Sequence, residues 1–248
     1  MLFELAQSVL SSGRPTALPP VLVLALLLLW ALLIALSRRI RYFLIQYVGD
    51  VAAYVSAHTV SKFAEVREAI QKASSTVARA IYTALAKDGR SFAYGKVIVV
   101  GHSLGSVVAY DTLNAMIRED RVAATSYHTV ARTPLLLTFG SPLNKTAFIF
   151  RTQMPEGSEL REALAASVQP MIQSYDLRPA QWVNIYSRED WVSGPLEFYD
   201  DPEDQDTGHQ AKQVQNLADP DATTPLAAHV EYWGNPLLAD RLAEALFG

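Results

Sequence analysis

The longest apolar stretch lies near the start of the chain. Residues 21–36 read VLVLALLLLWALLIAL, sixteen apolar residues without a break. As a helix they span about 24 Å, and adding residues 17–20 brings the length to about 30 Å, the thickness of a hydrocarbon core. A helix inside a soluble core is rarely apolar on every face. The pattern predicts a transmembrane helix over 17–37, after an N-terminal segment of residues 1–16. A cleaved leader is the rival reading, with Ala35-Leu36-Ser37 as its small-x-small site. Against it, the run is long for a leader and no basic cluster precedes it. Arg38, Arg39 and Arg41 follow at once, which opposes translocation. Only Arg14 lies before the span, so the positive-inside rule places everything beyond residue 40 in the cytoplasm.

Helical periodicity continues over 38–91. Ile40, Phe43, Leu44, Tyr47, Val48, Val51 and Val55 fall at helical spacing, as an interfacial or a core-facing face. Phe63, Val66, Ile70, Ala73, Val77, Ile81 and Leu85 form a second stripe with polar residues opposite. Asp88-Gly89 is the predicted stop.

From residue 92 to 248 the pattern changes. Short runs at 96–100 (KVIVV), 134–139 (PLLLTF) and 181–187 (QWVNIYS) predict strands. Amphipathic stretches at 104–117, 156–167 and 237–247 predict helices. Strands separated by helices predict an α/β fold with a parallel sheet.

Composition narrows the function. Half of the 248 residues are hydrophobic and 19% are charged, enough apolar residues for a packed core. There is no cysteine, which excludes disulfide staples, thiol nucleophiles and thiolate metal sites. A net charge of −4 gives no basic surplus for a phosphate backbone, so nucleic acid is not an expected partner. No repeat of 20–50 residues recurs. The acidic run at 198–206 (FYDDPEDQD) reads as a solvated loop, since its spacing fits no calcium loop.

The chemistry starts where the first strand ends. Residues 101–105 are Gly-His-Ser-Leu-Gly, entered from VIVV and followed by a helix. A sharp strand–turn–helix lifts the Ser103 hydroxyl above the sheet edge. Gly101 and Gly105 are expected to permit close backbone approach. The following helix points its positive end at the site, with the Leu104 N–H placed to bind an oxyanion. A serine hydroxyl needs a base, and the base needs an acid to orient it. Of the five histidines, His58 and His102 precede Ser103, His128 lies between the first two strands and His209 lies in an acidic stretch. His229 precedes the last helix, the place for a base, and His102 is expected to support the turn. The loop after the third strand offers Glu189 and Asp190 as the acid. Asp111, on the helix after Ser103, is expected to be a buried hydrogen-bonding group.

Four short pieces carry a family resemblance. GHSLGS (101–106) resembles the nucleophile elbow of α/β-hydrolases. TFGSP (138–142), NIYSREDWVSGP (184–195) and HVEYW (229–233) resemble segments of class 3, fungal-type lipases. VVAYDTLN (107–114) is similar to intracellular phospholipases of the DDHD type. The resemblance spans residues 96–234 and selects Asp190 over Glu189. It implies an α/β-hydrolase-like sheet and a Ser103–His229–Asp190 triad with Leu104 at the oxyanion, with no metal or cofactor required. It departs from the family in one respect. No strand is read before residue 95 and no His-Gly pair occurs there, so half of the oxyanion hole is unassigned. Three arrangements account for this: a chain that is an N-terminally shortened relative, the helices of 40–88 packing where strands would lie, or another chain completing the sheet. The first is preferred.

The expectation is a single-pass membrane protein whose catalytic domain hydrolyses esters, with the bilayer as partner and a lipid as the favoured substrate. Residues 143–180 are expected to form a small cap. Its Phe148, Ile149, Phe150, Met154, Met171 and Ile172 read equally as an acyl pocket or as core. A catalytically impaired scaffold or complex subunit, and a thioesterase or amide hydrolase with the same triad, are the alternatives.

Overall fold

The computed structural model describes residues 19–43, 61–122, 127–146, 171, 175–200, 213–225 and 227–248. The chain divides into two compact units, Met1–Ile45 and Gln46–Gly248. The first holds one helix, α1 (Pro20–Phe43). Its stretch Pro20–Tyr42 has a mean hydropathy of 2.7 and an unburied apolar window, so it is long and apolar enough to cross a membrane or to act as a leader. The helix continues past residue 37 through the arginines, since no Gly or Pro interrupts residues 37–43. Basic side chains at that end also suit the helix dipole.

The second unit contains α2 (Ser61–Thr83), β1 (Val99–His102), α3 (Leu104–Val122), α4 (Thr129–Arg132), β2 (Leu135–Phe139), β3 (Gln181–Tyr186), β4 (Gln215–Ala218), α5 (Ala228–Glu231) and α6 (Pro236–Phe247). The four strands form one sheet in the order β1-β2-β3-β4, and every pairing is parallel. A parallel sheet with flanking helices is the α/β class that the strand and helix alternation predicts. Leu135 and Leu137 point to one face of β2 and Leu136 to the other, by the two-residue strand period. Leu136 and Trp182 pack with Val107, Tyr110, Leu113 and Ile117 of α3. Leu135, Leu137, Val183 and Ile185 pack with Ala228, Tyr232 and Leu238 on the opposite side. Both faces are therefore covered, and β2 is apolar at nearly every position.

Two elements differ from the expectation. The β-branched run at 96–100 has the pattern of a strand buried on both faces, but among the described residues β1 is an edge strand and Val100 is 41% exposed. The stripe of α2 also faces outward: Val66 is 57% and Val77 61% exposed, while Ile70 packs against the core cluster. The polar side of α2 makes its contacts. Gln71 Nε2 and Arg67 Nη2 donate to Asp111 on α3 at 3.0 and 3.3 Å, and Arg79 Nε donates to Glu119 at 2.8 Å. Asp111 is thus a largely buried acceptor, as its place on α3 suggested. Tyr82, at the end of α2, is buried with its hydroxyl 2.5 Å from Thr133 Oγ1. α2 ends at Thr83, earlier than Asp88-Gly89, where a bridge between Leu85 and Phe92 takes over. Asp88 then holds the turn by accepting the Arg90 and Ser91 N–H groups. The Ser91 hydroxyl and these N–H bonds lower its pKa to about 2.

Candidate active site

Ser103 stands between β1 and α3 with φ at 53°, a left-handed conformation that a non-glycine residue rarely adopts. The turn closes because Gly101 has no side chain. A Cβ there would lie 2.5 Å from Ser106 Cα and 2.8 Å from the Gly105 oxygen, both backbone atoms. Gly105 does not share this role, since a Cβ on it would meet nothing within 4 Å. The Ser103 N–H donates to the Phe139 oxygen of β2 at 3.1 Å. The Ser106 hydroxyl donates to the Ser103 oxygen at 2.6 Å and lies 2.7 Å from Ser141 Oγ. The first two glycine-containing motifs therefore meet directly beneath the serine. Leu104 is the first residue of α3, where helix geometry leaves the N–H without an intrahelical acceptor.

The structure brings the three predicted residues together. Ser103 Oγ lies 2.8 Å from His229 Nε2. His229 Nδ1 lies 3.0 Å from Asp190 Oδ2 and 3.1 Å from Oδ1. Since the carboxylate only accepts, Nδ1 carries the proton and Nε2 is left to accept from the serine. The His229 and Asp190 side chains are 1% and 0% exposed, so this pairing is shielded from water. Glu189, the other acid candidate, is exposed, and its N–H donates to Ser187 Oγ.

A polar rung across the sheet positions the acid loop. Thr138, Asn184 and Asn216 are in register on β2, β3 and β4. Thr138 Oγ1 donates to Asn184 Oδ1 at 3.1 Å, and Asn184 Nδ2 donates to Asn216 Oδ1 at 2.9 Å. Asn184 Nδ2 also donates to the Gly194 oxygen, and the Leu196 N–H donates to Asn216 Oδ1. The segment after Asp190 is therefore tied to the sheet at Gly194 and Leu196. Lys145 Nζ adds bonds to the Trp191 and Ser193 oxygens. Sequence reading missed this rung and β4. The Asn on the otherwise apolar β3 was the available signal.

The histidine side is held in a similar way. His102 Nε2 donates to the His229 oxygen at 2.8 Å, and its ring lies against Phe139, Tyr232 and Trp233. Gly140, at φ 57°, leaves room for this arrangement, since a Cβ would stand 3.1 Å from the His102 ring and 3.2 Å from Tyr232. Tyr232 donates to Asp190 Oδ2 at 2.9 Å. It follows His229 by three residues, a spacing that places both on one face of a helical turn.

The charges follow from these contacts. Burial pushes the Asp190 pKa up, but the His229 bond and charge and the Val192 N–H outweigh it, and the carboxyl sits below its ordinary value. Burial chiefly, with the Asp190 charge, raises the Tyr232 hydroxyl, which stays a protonated donor. Burial lowers the His102 pKa, which favours a neutral ring with its proton on Nε2.

Other candidates fall elsewhere. Met171 is fully buried against Tyr110 and Trp182 and belongs to the core. Phe148, Ile149, Phe150, Met154, Ile172, the 156–167 helix and most of the cap at 143–180 lie outside the described residues, as do His58 and His209. His128 precedes α4 with its ring against Phe92. In the acidic run, Tyr199 is buried and Asp200 accepts the Val214 N–H, while residues 201–206 lie outside the described residues. Among the described residues no group of three or more His, Asp or Glu is placed to hold a metal. Comparison with protein-family models, with curated proteins and with solved structures finds no match for this chain.

Proposed function

We propose that the protein is a membrane-anchored serine hydrolase of the α/β-hydrolase type that cleaves carboxylic esters, with lipid esters as the preferred class. The observation that carries the reading is the buried Ser103–His229–Asp190 relay with links of 2.8 and 3.0 Å. Ser103 Oγ attacks the ester carbonyl as His229 Nε2 takes its proton. Asp190 holds the imidazole in the required tautomer and stabilises the imidazolium. The Leu104 N–H stabilises the oxyanion of the tetrahedral intermediate. Its collapse expels the alkoxide, which receives the proton from His229 and leaves as the alcohol. Water, deprotonated by His229, then attacks the acyl-serine and releases the acid. The lipid preference rests on the lipase-like motifs and on α1, which as an uncleaved anchor places the site beside a bilayer. The arginines after the span favour a cytoplasmic catalytic unit.

Turnover of p-nitrophenyl butyrate and longer acyl homologues by the full chain in detergent tests this reading. Hydrolysis by the parent and its loss in Ser103→Ala and Asp190→Asn supports it, and equal rates in all three reject it. The exposed edge of β1 favours a second reading, an impaired hydrolase-fold scaffold. A site with a single oxyanion donor would turn over about 10²–10³ more slowly, so the assay requires single-turnover sensitivity.

A further inference from the structure

We infer that Tyr232 is a positioning residue for the acid of the relay, its hydroxyl fixing both the orientation and the basicity of the Asp190 carboxylate. The inference rests on the hydrolase reading above. The Tyr232 side chain is fully buried, yet its hydroxyl is not spent on packing. The Ser187 N–H donates to the phenolic oxygen at 2.9 Å, which directs the single O–H proton away from that backbone group. The proton goes to Asp190 Oδ2 at 2.9 Å, and Ser193 Oγ lies 3.0 Å from the same hydroxyl. On the other carboxylate oxygen, Oδ1, the Val192 N–H donates at 2.9 Å. Each oxygen therefore has a fixed donor besides His229, and the carboxylate cannot swing away from the imidazole. Tyr232 is also in the same helical turn as His229, so the base and the group that steers its acid move as one unit.

One consequence separates positioning from simple packing. A hydrogen bond to a carboxylate withdraws charge from it. Without that bond Asp190 binds the His229 proton more tightly, and the acid limb of the pH profile moves up. The side chains that face this pair are Ser103, His102, Tyr232, Ser193 and Lys145, and Tyr232→Phe leaves the other four in place.

The test is the pH profile of kcat/KM for p-nitrophenyl butyrate with the full chain in detergent. Tyr232→Phe is expected to lower the plateau about tenfold, the effect of losing one hydrogen bond to a charged group. It is also expected to move the acid limb up by about half a pH unit. Replacement of Tyr232 by 3-fluorotyrosine keeps the ring packing and makes the hydroxyl a stronger donor. Its acid limb is expected to move down, which keeps the inference testable should Tyr232→Phe fold poorly. A lower plateau with an unmoved limb in both variants assigns Tyr232 to packing alone and overturns the inference. A parent without turnover rejects the hydrolase reading instead. In that case the far-downfield proton resonance of the His229 Nδ1–Asp190 bond decides. A shift in Tyr232→Phe supports positioning, and a parental resonance overturns it.

Discussion

On the β3–β4 side of the sheet, Trp182, Val183, Asn184 and Ile185 are buried, and the Thr138–Asn184–Asn216 rung ties three strands to the acid loop. On the β1 side, Val100 is an exposed apolar residue on a strand with one neighbour among the described residues, and α2 turns Val66, Val77 and Ile81 to solvent. Asp190 and His229 come from the first region and Ser103 from the second. The proposed relay thus joins a histidine and a carboxylate fixed by long-range hydrogen bonds to a serine fixed mainly by one strained turn. Parallel strands ordinarily have both faces and both edges covered. The difference teaches that Asp190 is tied into the covered part of the sheet, while Ser103 and Leu104 stand at the exposed β1 end, from which His102 also holds the His229 oxygen.

Substitutions on the two sides sharpen this contrast, and each is read by urea unfolding. Leu137→Ala, in the sheet centre, is expected to cost about 2–5 kcal/mol through lost burial and a cavity. Gly101→Ala is expected to cost about 3 kcal/mol, because its Cβ would press on backbone atoms. Gly105→Ala, with open space around it, is expected to be tolerated at its helical position. Asn184→Ala is expected to cost about 1–3 kcal/mol by leaving Thr138, Asn216 and the Gly194 oxygen without their partner. Val77→Lys, on the exposed stripe, is expected to stay within about 0.5 kcal/mol. A cost above 2 kcal/mol for Val77→Lys, a threshold set well beyond the usual range for surface changes, would break the contrast by showing that the stripe is covered in solution.

A pH series provides a smaller discriminator. The Asp190 pKa is lowered in the folded protein. Its stabilising contribution is therefore full above the ordinary carboxylate pKa of about 3.9 and is lost as pH falls through the lowered value. The stability difference between parent and Asp190→Asn is expected to shrink as pH falls through that lowered value. A difference that stays constant across it contradicts a charged, hydrogen-bonded Asp190.

Much of the site was legible before the structure. The order of the Ser103, Asp190 and His229 motifs, each placed after a strand or before the last helix, was enough to assemble a relay whose members are 126 and 39 residues apart in the chain. Other features were hidden for physical reasons. β4 reads QNLA, too short and polar to show a strand pattern, since its Asn216 serves the rung. Periodicity reveals the apolar stripe of α2 but not which side meets the protein, and here Arg67, Gln71 and Arg79 make the contacts. The Tyr232 hydroxyl escaped notice because its partner lies 42 residues away and only the fold brings them together.

The central claim is that Ser103 is activated by His229, and covalent labelling tests it most directly. The full chain, extracted in detergent, is treated with a fluorophosphonate and mapped by peptide mass spectrometry. The account predicts an adduct on Ser103 that disappears in Ser103→Ala and is lost or greatly slowed in His229→Ala. An unlabelled, well-folded parent, or labelling equally fast without His229, would contradict it.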